Sequence, residues 1–257
     1  MKTMMNLSLN SFLFFLIPFA VYSQPIERDR LNVTDENGLK QGKWVVNFEN
    51  SKSIRYTGEF IDNHPVGEFR YYYNTGELSA VVEFRDDFRS QSRMYHKNGN
   101  MLSVGYYFQQ KKDSVWWYFN ARKEVLSMET YNKGVLEGEQ VVYYPADPSK
   151  VKVKEYEKST FKNGVKNGPW EQYFESGRIK SKGVYLNGNL SGIAYYYYPE
   201  GNIKLNGEYE NGFKHGCWLH YGKDGQLLER SYYKKDQKLE EKEVEEFLKK
   251  KREQQKQ

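Results

Sequence analysis

Over residues 38–233, aromatic and aliphatic positions alternate with polar ones in short runs separated by glycine-bearing turns. Trp170–Glu175 and Ile179–Tyr185 are two such runs, with Ile179, Ser181, Gly183 and Tyr185 on one face of the second. Between paired runs stand Glu-Ser-Gly, Asn-Thr-Gly or Lys-Asp-Gly, whose glycines (Gly76, Gly99, Gly177, Gly201, Gly225) take φ > 0 without a Cβ clash. Each pair of runs therefore reads as a β-hairpin, and Asn163-Gly164, Asn187-Gly188 and Asn211-Gly212 turn the chain from one hairpin into the next. Connections this short make consecutive strands neighbours, which predicts an all-β, elongated antiparallel meander of stacked hairpins. A helical reading fails because glycine recurs too often.

The hairpins are copies of one another. With Trp170 as position zero, the equivalent residues are Trp44, Phe69, Ser92, Trp116, Gln140, Ala194 and Trp218, separated by 25, 23, 24, 24, 30, 24 and 24 residues. There are thus eight units with a period of about 24, and the long interval holds a six-residue insertion, Pro145–Lys150. Allowing for a single extra residue in unit one and the insertion in unit five, position fifteen is aromatic in every unit: Phe60, Phe84, Tyr107, Tyr131, Phe161, Tyr185, Tyr209 and Tyr233. These eight rings are the expected structural core, each contributing roughly 1.5–3 kcal/mol if it is buried against the next unit. Glycine at position thirteen (Gly58, Gly105, Gly183, Gly207) is expected to let a neighbouring ring lie flat on the backbone. Position four, as at Tyr198, is expected to be the freer one, with truncation costing under about 1 kcal/mol.

The ends differ from the array. Lys2 followed by the apolar run Phe12–Val21 and by Val21-Tyr22-Ser23 reads as a signal segment, 1–23, cut ahead of Gln24. The run is short for a bilayer span, and an uncleaved anchor is the alternative. Residues 24–37 carry no repeat and read as a loose N-terminal segment. Residues 234–257 lead with glutamates and trail with lysines around Leu239, Val244, Phe247 and Leu248, the pattern of a short charged helix capping the last hairpin edge.

The pattern Asn-Gly-x-x-x-Gly-x-Trp-x-x-Tyr-x-x-x-Gly, present from Asn163 to Gly177 and from Asn211 to Gly225, resembles the MORN repeat in its bacterial variant form, as carried by proteins similar to the YwqK antitoxin group. The resemblance runs over residues 38–233, strongest in units six to eight and weakest in units three and four. It implies curved sheets of stacked hairpins, a non-enzymatic scaffold, protein partners and, as an alternative, phospholipid headgroups or an antitoxin or immunity role.

Composition narrows the chemistry further. Aromatics make up 17% of the chain, with 23 tyrosines, which argues against disorder. Lys+Arg 39 against Asp+Glu 34 is an even mixture without a dense basic stripe, so nucleic-acid binding is not expected. One cysteine, Cys217, excludes an intrachain disulfide framework. The four histidines, His64, His96, His215 and His220, fall in different phases of the repeat and in no metal-binding motif, and neither a nucleophile elbow nor a phosphate loop is present. No catalytic, metal or cofactor residues are therefore assigned.

The tyrosine runs Tyr71–Tyr73 and Tyr195–Tyr198 must place some rings outward. Tyr196 and Tyr198, with Trp170 and Trp218 of adjacent units, are the candidate binding strip for a protein, or for a sugar stacking on aromatic faces; a two-sided aromatic sheet without a ligand is the competing reading. The expected function is that of an exported scaffold, periplasmic or secreted, which binds a protein partner in the cell envelope. Peripheral membrane association, suggested by the Lys249–Arg252 run, is the alternative, and a polymer hydrolase ranks last because no acid–base pair can be named.

Overall fold

Alternation and glycine turns fold this chain into strands. The computed structural model describes residues 30–85, 88–145 and 153–254. Every described strand belongs to the unit Leu31–Gln257. The expected signal segment, and the insertion after Pro145, lie outside the described residues.

In chain order the elements are β1 (Val33–Thr34), β2 (Lys40–Asn47), β3 (Ile54–Ile61), β4 (His64–Tyr72), β5 (Leu78–Phe84), β6 (Arg89–Tyr95), β7 (Met101–Phe108), β8 (Lys111–Phe119), β9 (Val125–Asn132), β10 (Val135–Tyr143), β11 (Glu155–Lys162), β12 (Val165–Tyr173), β13 (Ile179–Leu186), β14 (Asn189–Tyr197), β15 (Ile203–Glu210), β16 (Phe213–Tyr221), β17 (Leu227–Lys234), β18 (Gln237–Lys238) and α1 (Glu241–Gln254). Every strand pairs antiparallel with the next, giving one open 18-stranded meander.

Two kinds of turn make the meander regular. Those between units that are described throughout have two residues at positive φ, as at Asn187 (48°) and Gly188 (85°), the I′ geometry whose twist matches that of the flanking strands. Within units the turn glycine donates back across three residues, for example Gly201 N–H to Tyr198 C=O at 2.9 Å. Position minus two is the second regularity. Gly67 (φ 65°), Gly168 (124°), Gly192 (71°) and Gly216 (65°) take positive φ at a break in register beside the preceding strand, which is a β-bulge. Unit three departs from this: β5 and β6 pair without a break from Ala80↔Met94 to Phe84↔Ser90, and the interval to Ser92 is the 23-residue one. The extra residue of unit one is absorbed in its turn, where Phe48 N–H reaches Ser53 C=O across five residues, against four for Tyr73 to Glu77.

Position zero, rather than position fifteen, is the more deeply buried column, with Trp44 and Gln140 its half-buried members. Phe69, Trp116, Ala194 and Trp218 are 2% exposed or less, Trp170 is 7% exposed and Ser92 is fully covered, whereas all eight position-fifteen rings are only half-buried. The reason is what lies beneath each ring. Registered pairs run zero to thirteen across the sheet, as in Trp44↔Gly58, Trp170↔Gly183 and Gly207↔Trp218. Phe69, Trp116 and Trp218 lie flat on the glycine of the preceding strand: a Cβ built on Gly58, Gly105 or Gly207 would stand 2.2–2.3 Å from the ring. Position-fifteen rings then close the sides edge-on, with Phe60 and Phe84 each 5.1 Å from Phe69, Tyr107 4.9 Å from Trp116, and Tyr209 5.1 Å from Trp218. These T-shaped contacts add about 0.5–1.5 kcal/mol each beyond area burial.

The ends also differ from expectation. Within the segment read as loose, Val33–Thr34 pairs with β2, and the Asn32 carboxamide binds both backbone groups of Val45, accepting from N–H at 2.8 Å and donating to C=O at 2.9 Å. Helix α1 is capped by Glu243, whose carboxylate accepts from Glu240 N–H at 2.8 Å, with acidic residues in its first turn and Lys251 and Arg252 in its last. Its ring contact, Phe247 on His215 at 5.4 Å, lies on β16, one strand inside the β17 edge that it was expected to cap.

Candidate functional site

The face carrying position zero is closed by lysines in a regular way. Four residues before each position-zero tryptophan stands a lysine: Lys40 before Trp44, Lys112 before Trp116, Lys166 before Trp170 and Lys214 before Trp218. Units without tryptophan at zero have Pro65, Phe88, Leu136 and Leu190 there instead. The Nζ atoms of Lys40, Lys112 and Lys214 sit 4.7, 4.9 and 4.6 Å from the indole centroid. Indole is the best cation–π acceptor, and the lysine stem covers apolar surface that would otherwise be wet. Lys112 is held by three rings, Trp116, Tyr118 and Tyr131, at 4.9–5.1 Å, and donates to Tyr118 Oη at 2.7 Å.

Several polar groups on this face bond one another, while Ser92 Oγ is buried there without a hydrogen-bond partner. Tyr131 Oη donates to Glu129 at 2.6 Å, and Gln140 Nε2 donates to the same carboxylate at 3.2 Å. Burial, followed by the bond with Tyr131 and the Glu129 charge, holds the Tyr118 phenol far above its ordinary value. Glu157 accepts from Lys166 Nζ at 2.5 Å, Gln172 Nε2 at 2.8 Å and Ser159 Oγ at 2.9 Å. Burial pushes its carboxyl upward, but those bonds outweigh it and leave the group below the ordinary carboxylate value. Among the described residues, no group of three or more His, Cys, Asp or Glu could hold a metal ion. His96 Nε2 lies 3.0 Å from Phe119 O, in the lacing of one unit to the next.

The exposed strip of Trp170, Tyr196, Tyr198 and Trp218 is not formed. Trp170 and Trp218 are floor residues, 7% and 2% exposed. Tyr196 shares their face, half-buried 6.5 Å from Trp218, with its Oη 2.9 Å from that of Tyr209; burial and then this bond raise its pKa. Tyr198 is not free either, because its hydroxyl donates to Tyr221 C=O of the next unit at 2.9 Å. Tyr73 to Tyr95 and Tyr144 to Tyr173 repeat that bond at 2.8 Å, so position four laces adjacent units along one rim of the sheet.

The surface that does face outward is the opposite one. Tyr195 and Tyr197 stack at 6.5 Å with Lys182 Nζ 5.5 and 5.9 Å from their centroids, and Trp117 stacks on Tyr143 at 6.2 Å. Beside Tyr195 lies an apolar patch on three adjoining strands: Val165 and Pro169 on β12, Val184 and Leu186 on β13, Ile193 on β14. Val184 and Leu186 are 48% and 55% exposed, and Ile193 is 55% exposed. Sequence reasoning missed this patch because it followed tyrosines. The parity of Val184 and Ile193, opposite to that of Gly183 and Ala194, was the signal available. No helix among the described residues is long and apolar enough to cross a membrane.

Comparison with known proteins agrees with the repeat. A family model described as the MORN repeat variant matches three consecutive segments, residues 166–187, 190–211 and 214–235. These correspond to β12–β13, β14–β15 and β16–β17, each with the connection to its successor. No curated protein matches the chain. Among solved structures, the crystal structure of TarM is similar at 14% identity and a TM-score of 0.28, over 47% of this chain and 21% of that one. An S. aureus TarM mutant in complex with fondaparinux, alpha-GlcNAc-glycerol and UDP gives 11% identity and 0.26, over 57% of this chain and 21% of that one. A TcdB2-TccC3-Cdc42 structure gives 8% and 0.19, over 79% of this chain and 14% of that one. The chain thus spans about a fifth of TarM.

Proposed function

We propose that this protein is an exported, non-enzymatic repeat scaffold that binds a protein partner in the cell envelope through the outward sheet face. The observation that carries the reading is the patch of Val165, Pro169, Val184, Leu186 and Ile193, apolar and exposed on consecutive strands of a sheet whose other face is closed by its own lysines. Contiguous exposed apolar surface on a rigid sheet marks an interaction site, and flanking aromatic rings are the residue types that anchor such contacts. Export rests on the Phe12–Val21 run and the cut ahead of Gln24. The carboxylates of the closed face are engaged with partners of their own, so this reading needs no reacting group.

The test is capture from a cell-envelope fraction with the full chain as bait, compared with Val184→Glu/Ile193→Glu. Both positions are exposed, so the variant keeps the fold, and the expected outcome is loss of one stoichiometric protein band. A band retained by the variant refutes the assignment of this face. Cosedimentation with anionic vesicles that the same variant abolishes would replace the protein partner with a membrane surface.

A further inference from the structure

The last hairpin ends on a strand edge for which the chain begins a partner and then abandons it. Gln237 and Lys238 of β18 pair with Lys234 and Tyr233 as Val165 and Lys166 of β12 pair with Lys162 and Phe161. The side chains repeat as well. Lys238 Nζ donates to Glu229 Oε1 at 2.7 Å as Lys166 Nζ does to Glu157 Oε1, and Ser231 Oγ reaches Glu229 at 2.7 Å as Ser159 Oγ reaches Glu157 at 2.9 Å. Beyond Lys166 the chain continues along β11, placing Trp170 opposite Ser159, Glu171 opposite Lys158 and Gln172 opposite Glu157. Beyond Lys238 it gives one more bond, Leu239 N–H to Tyr232 C=O at 2.8 Å, and then turns into α1. No described strand takes the places opposite Ser231, Arg230 and Glu229 on the outer side of β17.

What remains there is a prepared surface. Backbone groups two residues apart point the same way in an antiparallel ladder, so those of Arg230 face outward with that of Tyr232, up to the break in register at Leu228. Leu227 and Leu228 are 47% and 57% exposed. On the closed face an open recess of about 170 Å³ is lined by Lys214, Trp218, His220, Glu229, Ser231 and Tyr233, where the ring of a ninth unit would lie on Ser231 as Trp170 pairs over Ser159. The opposite edge of the sheet offers no such opening, because β1 and the Asn32 carboxamide occupy the outward groups of β2.

We propose that the outer edge of β17 is a strand-acceptor site, and that its occupant is an extended segment of a partner protein with the pattern aromatic–acidic–amide–aromatic. The internal copy of that ligand is Trp170-Glu171-Gln172-Tyr173. Its first ring fills the recess over Ser231, its acidic residue faces Arg230, its amide bonds Glu229, and its backbone extends the ladder at Arg230. The proposal rests on the scaffold reading but uses a surface separate from the Val184–Ile193 patch.

The experiment is fluorescence anisotropy of a labelled synthetic peptide with the sequence of Val165–Tyr173 titrated with the full chain. Saturable binding is expected, weakened about tenfold or more when the peptide's tryptophan is replaced by alanine or when the protein carries Arg230→Pro, which removes an outward N–H. Arg230→Glu should weaken the peptide and restore binding to a peptide with lysine at its acidic position, a charge exchange that a merely unfolded edge cannot produce. Absence of saturable binding, or binding indifferent to these changes, overturns the proposal. So does a dimer of the unliganded chain in analytical ultracentrifugation that Arg230→Pro dissolves, since a second copy would then own the edge. Failure at the edge with capture through Val184 and Ile193 intact overturns this site and leaves the scaffold standing.

Discussion

Replacing Gly207 by alanine tests how the rings are held. Gly207 does not have a positive φ, so backbone strain plays no part. The added Cβ would stand 2.2, 2.4 and 2.5 Å from three atoms of the Trp218 indole. Carbon atoms rest about 3.5–4.0 Å apart, so the ring must retreat by more than about 1 Å. That retreat strains the bond from Trp218 Nε1 to Glu208 C=O, 3.2 Å long, and disturbs the edge contacts with Tyr209 and Tyr233. Overpacking costs about 1–3 kcal/mol and a weakened hydrogen bond about 1, while the alanine gains about 0.4–1 by restricting the unfolded chain. The net expectation is a loss of about 2 kcal/mol. Gly183 occupies the same position of its unit, but Ala194 stands where a ring would be, and the nearest atom to an added Cβ is 3.4 Å away. Gly183→Ala should therefore be neutral or stabilising by up to about 1 kcal/mol. Urea unfolding followed by circular dichroism gives both values. In a Trp218→Ala background the penalty at Gly207 should vanish. Equal effects at the two glycines, or a penalty that survives removal of the indole, would show that the rings are not seated on the backbone.

The remaining expectations concern the same interactions. Trp116→Ala deletes a fully buried ring and should cost about 3–5 kcal/mol by urea unfolding, more than Tyr185→Ala, whose ring is half-buried. Tyr198→Phe should lose about 0.5–1.5 kcal/mol through its bond to Tyr221 C=O, with hydrogen exchange speeding first at the rim near Tyr221; no change would mean the lacing is ornamental. Glu157 is depressed in the folded state, so its contribution is complete above the unfolded value near 4.5 and disappears as pH falls through the lower folded value; Glu157→Gln should flatten that acid limb of the stability profile, and an unaltered limb refutes the assignment. Ala194→Trp with Leu190→Lys should be more stable than Ala194→Trp alone, because the lysine covers the new indole; the reverse order of melting temperatures would break the pairing of lysine with tryptophan.

Much of this architecture could be read along the chain because it is local. Asn-Gly pairs and turn glycines have φ preferences that act within four residues, so hairpins, their order and their neighbours follow from spacing. The glycines at position thirteen were likewise legible as places for a ring, and the structure seats rings on Gly58, Gly105 and Gly207. Which aromatic column would be buried was not. Columns zero and fifteen are both ring-rich, and alternation says only that neighbours point oppositely. The bulge at position minus two and the strand register then place tryptophan opposite glycine, and nothing within one hairpin reports that register. For the same reason Trp170 and Trp218 became floor while Val184 and Ile193 became surface.

The order of strands, the eightfold repetition and the chemistry of each turn were determined by the amino-acid sequence alone, since each is decided by conformational preferences over a few residues. The tertiary structure decided which face is closed and where the final edge stays open. Burial of a ring depends on the residue it meets from another strand, and the free side of β17 exists only because the chain leaves the sheet after Lys238 to form a helix.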